Sequence, residues 1–189
     1  MKEKFLTNRE VKDLLFKRRK EISAIVPIYN ERGKNCSKLI LKDNFTVTTN
    51  FVNNTLLDNV ATTFGTKPDL VRERYKGLFN CIVTPLPLSI KVMLIPLRVR
   101  NKLKNHDGVY GYFNFYHLNG LEKSEISTKK SYLTLNESIE LELLQGHGTA
   151  KEKIQQGVIA GQYFRYNNDY KSGFEELEHY LNMSFPEEE

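Results

Sequence analysis

Residues 22–51, ISAIVPIYNERGKNCSKLILKDNFTVTTNF, decide the fold. Three apolar, β-branched runs stand in this stretch: Ile22 to Tyr29, Cys36 to Leu41, and Phe45 to Phe51. Their composition and length are those of strands. Lys42-Asp43-Asn44 supplies the turn between the second and third, since Asp and Asn bond their own backbone and tolerate tight conformations. Pro27 predicts an edge strand, because proline has no N–H to offer a neighbour.

Upstream, Asn8 to Lys20 is predicted as a basic amphipathic helix. Val11, Leu14 and Leu15 follow the i, i+3, i+4 spacing, and Thr7 or Asn8 is placed to cap it. Downstream, Leu56 to Phe64 reads as a helix capped by Asn54 or Thr55 and stopped by Gly65. Pro68 suits the first turn of a second helix ending at Tyr75. The middle of the chain is β-rich: Leu78 to Thr84, Ile90 to Val99 and Val109 to Leu118 are predicted strands, with Asn119-Gly120 as a hairpin signal. Ser131 to Leu135 and Ser138 to Leu144 alternate apolar and polar residues, as half-buried strands do. Thr149 to Tyr166 reads as a helix with Thr149 as cap, and Gly173 to Met183 as a short acidic one.

The expected class is therefore α+β, a mainly antiparallel β-sheet core with a few helices. Strands then a helix occur twice, before and after Thr84, which suggests two similar halves. The predicted organisation is a basic N-terminal helix over 1–21, a central domain over 22–168 and an acidic tail over 169–189.

Hydrophobic residues make up 40% of the chain, with ten Tyr and eleven Phe, enough apolar surface to offset the entropy of ordering. The opening MKEKFLTNREVKDLLFKRRK lacks the apolar stretch of a signal peptide, and no run approaches the roughly eighteen apolar residues of a membrane span. The expected compartment is the cytoplasm. The formal charge is +5, unevenly spread. Residues 169–189 hold seven acids against Lys171, a net of −6, which leaves +11 on the rest. A segregated basic body is the footprint of a polyanion binder.

Catalytic constellations are missing from the sequence. His106, His117, His147 and His179 are scattered, without metal-ligand spacing to another His, Cys or carboxylate. Cys36 and Cys81 are the only cysteines, and Cys36 in an apolar strand reads as a small buried hydrophobe. Gly146-His147-Gly148-Thr149-Ala150-Lys151 lacks the order of a phosphate loop and reads as a strand-to-helix turn. The chain is read as a protein without enzymatic activity and without a cofactor. Tyr110, Tyr112, Phe113, Phe115 and Tyr116 form an aromatic run with no lysine or arginine in it, so a sheet core is the favoured reading over a base-stacking platform.

Basic clusters carry more. Lys91 to Lys104, KVMLIPLRVRNKLK, contains no acid. Arg98, Arg100, Lys102 and Lys104 alternate, so an extended backbone would project them from one face, with Asn101 and Asn105 beside them. Such a face suits phosphates, and Arg or Asn tips suit a minor groove. Lys67, Arg72, Arg74 and Lys76 form a second cluster, diluted by Asp69 and Glu73. No helix-turn-helix is visible, which favours a non-helical reader of DNA.

Gly33-Lys34-Asn35-Cys36-Ser37-Lys38-Leu39-Ile40 resembles the glycine-lysine-x-cysteine-serine-lysine segment of the competence transcription factor ComK family. Phe64-Gly65-Thr66 is similar to that family's phenylalanine-glycine-serine, with Arg72 and Tyr75 matching its downstream arginine and tyrosine. Pro87-Leu88 and Ile95-Pro96 resemble two further pairs, and Gln155 or Gln156 a later glutamine. The resemblance covers residues 22–165. It implies a DNA-binding activator of DNA-uptake genes that acts as an oligomer at paired AT-rich boxes, approaching the minor groove. Tyr112 stands where the family has a tryptophan. Phe174 to Glu189 has no counterpart of the family's segment for the adaptor and Clp protease machinery, so the resemblance does not extend to regulated degradation. Two rival classes remain: a protein–protein regulator docking through the acidic tail, and an RNA-binding module using the aromatic run.

Overall fold

The computed structural model describes residues 3–79, 83–105 and 107–168. The first half runs β1 (Glu3–Leu6), α1 (Asn8–Arg18), β2 (Ile22–Tyr29), β3 (Asn35–Leu41), β4 (Thr46–Thr49), α2 (Asn53–Thr63) and α3 (Pro68–Tyr75). The second runs β5 (Leu86–Ser89), β6 (Val92–Arg98), β7 (Tyr110–Asn114), β8 (Leu118–Lys123), β9 (Ser131–Leu135), β10 (Ile139–Leu143) and α4 (His147–Asn167). Among the described residues these form a seven-stranded sheet, ordered β1-β4-β3-β2-β7-β6-β5, and a three-stranded sheet, ordered β10-β9-β8. Among the described strands only β1 with β4 is a parallel pair, so the class is α+β with mainly antiparallel pairing.

Strand alternation divides the apolar side chains between two cores. In β3, Leu39 and Leu41 belong to one core and Ile40 to the other; in β6, Leu94 belongs to the first, and Met93, Ile95 and Leu97 to the second. Val11 and Leu15 of α1, Leu56, Leu57 and Val60 of α2, and Val71 and Tyr75 of α3 close the first core. The small sheet, through Leu133, Leu135 and Leu143, and α4, through Ala150, Ile154 and Val158, close the second. The large sheet is thus covered on both faces, which explains why β2 reads as a continuous apolar run. Helix α4 approaches β6 so closely that a Cβ at Gly157 would fall 2.6 Å from Ile95 Cδ1.

Local chemistry sets the element ends. Thr7 caps α1 reciprocally with Glu10: the Glu10 N–H donates to Thr7 Oγ1 at 3.4 Å, and the Thr7 N–H donates to Glu10 Oε2 at 2.9 Å. Pro68 begins α3, and Gly65, at φ +72°, ends α2. The described part of 1–21 is built into the fold: β1 pairs with β4, and Val11 and Leu15 are buried in the first core.

Several sequence expectations are corrected. Pro27 lies in an interior strand, yet β7 pairs with β2 only at Ala24 and Ile25, so the missing N–H falls beyond that ladder. Asn119-Gly120 makes no hairpin; both residues lie within β8, where the register shifts against β9. The chain reverses instead at Asn136 and Glu137, with φ of +50° and +63°. Within the predicted strand 78–84, Leu78 ends a short 3-10 turn, and 80–82 lie outside the described residues. Val52 stands at the N-cap position of α2 in place of Asn54 or Thr55, and Gly146 at that of α4 in place of Thr149, neither with a side-chain capping bond. The two halves are not copies: β2-β3-β4 runs from the sheet centre outward and β5-β6-β7 from its edge inward. Gly173 to Met183 lies outside the described residues. Among those described, no helix is long and apolar enough to cross a membrane.

Candidate nucleic-acid interface

The β2–β3 hairpin carries the first part of the site. Its last pair is Tyr29 with Asn35. Beyond it, Asn30 Oδ1 accepts the N–H groups of Arg32 at 3.0 Å and Lys34 at 2.9 Å, and Gly33 takes φ +68°. This closed turn leaves Arg32, Lys34 and Glu31 exposed.

The second part is the loop that follows β6. Arg98 ends the strand, where its N–H donates to Gln145 Oε1 at 2.9 Å and its carbonyl accepts from Leu144 N at 2.7 Å. The described loop residues are then held against the hairpin by buried Asp107. Asp107 accepts from the Tyr29 hydroxyl at 2.6 Å, from Asn35 Nδ2 at 3.1 Å and from the Lys104 N–H at 2.9 Å. The Leu103 N–H donates to the Tyr29 hydroxyl oxygen at 3.0 Å. The Tyr29 hydrogen bond holds the Asp107 carboxyl below the usual carboxylate range, so the anchor is ionised at neutral pH.

Arg100 departs from expectation. The extended, alternating presentation of Arg98, Arg100, Lys102 and Lys104 does not form, because the chain leaves the strand after Arg98. The Arg100 guanidinium turns inward, donating from Nε to Gly108 O at 2.7 Å and from Nη2 to Asn35 Oδ1 at 2.7 Å. It lies 4.1 Å from the Tyr29 ring centre. Burial lowers its pKa, against the pull of Tyr29 and Asp107, and it remains charged. Asn101, Lys102 and Lys104 face outward, and Arg98 Nη2 donates to Asn101 Oδ1 at 3.1 Å on the same surface. Arg32, Lys34, Arg98, Lys102 and Lys104 thus gather at one end of the large sheet.

The second cluster sits on or beside α3. Arg72 pairs with Asp69 at 2.8 Å and donates to the Tyr112 hydroxyl at 3.1 Å. Lys76 lies 3.7 Å from Glu73, while Lys67 and Arg74 are exposed. The register relates the two clusters: Arg98 is opposite Tyr110 and Pro96 opposite Tyr112, so Arg98 and the Arg72-bound Tyr112 lie two positions apart along adjoining strands.

The aromatic run is mostly core. Tyr112, Phe113 and Phe115 are buried, and the half-buried Tyr116 hydroxyl accepts from Arg165 Nη2 at 3.0 Å. Cys36 is buried in β3. His117 is engaged with Ser23, His147 begins α4, and His106 and His179 lie outside the described residues. Among the described residues no group of three His, Cys, Asp or Glu could hold a metal ion. The glycine run borders an open cavity of about 490 Å³ with Lys123 and Lys130, of which Lys130 is paired with Glu142 at 2.9 Å.

Sequence reasoning did not find Tyr29, Asn35 and Asp107, which shape the loop, nor Arg32 and Lys34, which share its surface. Asn35 and Arg100 are 65 positions apart, and no local pattern announces such a contact. The signal nearest to it is the block Gly33 to Ile40, whose first residues form this turn. The chain was compared with protein-family models, curated proteins and solved structures. None matches.

Proposed function

We propose that this chain binds double-stranded, AT-rich DNA through the basic end of the large sheet, as a transcriptional activator without enzymatic activity. The observation that carries the reading is the fixed loop after β6. Its one described acid, Asp107, is turned inward together with Arg100, and Lys102 and Lys104 face outward. Such a surface meets phosphates without first having to be ordered, which lowers the cost of binding. Arg98, Asn101, Lys102 and Lys104 are the contact residues, joined by Arg32 and Lys34. Arg100 is a positioning residue. Lys67, Arg72, Arg74 and Lys76 extend the surface. A protruding loop without a recognition helix suits the minor groove, where a narrow AT tract concentrates negative potential. The resemblance of Gly33 to Ile40 supports the narrower reading: an oligomer at paired boxes of DNA-uptake genes, at work in the bacterial cytoplasm.

Fluorescence anisotropy with AT-rich duplex, GC-rich duplex and single strand, each at two salt concentrations, tests this. AT-rich duplex is expected to bind tightest, with affinity falling steeply as salt rises. Lys102→Ala with Lys104→Ala should reduce the logarithmic salt slope by about 0.9 for each phosphate that is no longer neutralised. Equal binding to all three probes, or a slope unmoved by the double substitution, overturns the reading.

A further inference from the structure

The outward surface of the β6–β7 loop is not uniformly charged. Leu103 stands between Lys102 and Lys104 with 69% of its surface exposed. Its backbone, by contrast, is fixed. The Leu103 N–H is held by Tyr29, the next residue's N–H by Asp107, and the Asp107 N–H returns to the Lys104 carbonyl at 3.0 Å. A leucine that contributes little to the core, on a backbone held by several hydrogen bonds, is positioned for something outside the chain. Burying it there removes apolar surface from water, which is favourable.

We infer that Leu103 is an apolar wedge, which enters the base stack from the minor groove while Lys102 and Lys104 hold the phosphates on either side. This rests on the DNA-binding reading above and adds a residue that chooses among sequences. Proteins that approach the minor groove insert Leu, Ile, Phe or Met between base pairs, partly unstack one step and kink the duplex. Lysines flanking the wedge neutralise the phosphates that border the opened minor groove. The rigidity of the loop matters, because a side chain on a slack loop would yield before the stack did. Pyrimidine–purine steps such as TA unstack most readily, so the wedge favours duplexes that place such a step within an AT-rich box. Selectivity then comes from the ease of opening one step, not from hydrogen bonds to base edges.

The test is a duplex with 2-aminopurine at a central TA step, titrated with the full-length chain while a dye at the duplex end reports binding by anisotropy. Wild type should raise the 2-aminopurine emission several-fold on saturation. Leu103→Ala, which removes exposed atoms and should leave the thermal transition in place, should bind roughly tenfold more weakly, with an unchanged salt slope and no rise at saturation. Leu103→Met keeps an apolar side chain of similar reach and should restore both signal and affinity. Wild-type binding without a rise, or an equal rise with Leu103→Ala, overturns the wedge and leaves the DNA reading standing. No binding by wild type to any duplex overturns both.

Discussion

Arg100 stacks on Tyr29, with the guanidinium carbon 4.1 Å from the ring centre, and the Tyr29 hydroxyl in turn donates to Asp107 at 2.6 Å. One arginine of a basic run is thereby spent on shaping the loop that presents the others. The charge is not wasted inside the fold: Asn35 bridges it, accepting from Arg100 Nη2 and donating to Asp107.

Tyr29→Phe separates shaping from contact. The substitution keeps the ring under Arg100 but leaves Asp107 without its hydroxyl donor and the Leu103 N–H without an acceptor. Removing a hydrogen bond and leaving its partner unsatisfied costs about 1–3 kcal/mol, and the thermal midpoint should fall by about 2–12 °C. Duplex affinity should fall about tenfold, because the loop must be ordered on binding, while the salt slope stays that of wild type. A lower slope would place Tyr29 or its neighbours on phosphate instead.

Sequence pattern reveals what depends on neighbours in the chain. The spans of β2 and α3 follow from a bounded β-branched run and from Pro68 in a first turn, both local signals. Strand β5 is illegible because Pro85 and Pro87 mask a short segment whose strand character comes from pairing with β6. Asn119-Gly120 misleads for the opposite reason: a strong local turn signal yields to a bulged strand when the flanking residues have partners in β9. The interface divides the same way. Its cations are visible as an acid-free run, but the inward turn of Arg100 depends on Asn35 and Tyr29, far away in sequence.

Asn114 is the most demanding polar residue of the core. Fully buried, its Oδ1 accepts from the Met93 N–H at 3.1 Å, and its Nδ2 donates to Ile22 O at 3.0 Å and Lys91 O at 3.1 Å. It therefore joins β7 to β2 and β6 where the strand ladders end. Asn114→Ala should cost about 3–5 kcal/mol, measured by urea denaturation. Asn114→Asp should cost at least as much despite its similar shape, since a carboxylate has no hydrogen for the two carbonyls. A milder effect for Asp than for Ala would mean that this polarity is unimportant.

Two glycines at the start of α4 should respond oppositely to alanine. A Cβ at Gly146 would fall 2.4 Å from the Thr128 carbonyl oxygen, whereas one at Gly148 meets nothing within 4 Å. Gly146 has φ −66°, so alanine there can adopt the backbone and the conflict is steric alone. Gly146→Ala should destabilise by about 1–3 kcal/mol, as the β8–β9 connection is forced aside. Gly148→Ala, inside the helix, should be neutral or gain about 0.5–1 kcal/mol through reduced backbone entropy. Equal unfolding midpoints for the two variants would refute the close contact.

His117 makes stability depend on pH. Its Nδ1 lies 2.7 Å from Ser23 Oγ, and that hydroxyl donates its hydrogen to Asn136 Oδ1 at 2.9 Å, so Nδ1 must carry the proton and Nε2 is the atom left to titrate. Asn136 is oriented by its own Nδ2, which donates to Leu41 O at 2.9 Å, so the cluster ties the β9–β10 turn to the large sheet. Burial, with a smaller contribution from the Lys42 charge, pushes the His117 pKa down from 6.5 to about 4. The folded chain therefore holds fewer protons than the unfolded chain between these values. The stability this supplies is complete above pH 6.5, declines as pH falls, and is gone below about pH 4. The loss should be on the order of 2–3 kcal/mol across that window. Urea unfolding of wild type and His117→Asn at pH 7, 5.5 and 4.5 measures it. The variant should begin less stable at pH 7 and lose less on acidification, so the two curves converge. Parallel curves would show that the carboxylates, and not His117, govern the acid limb.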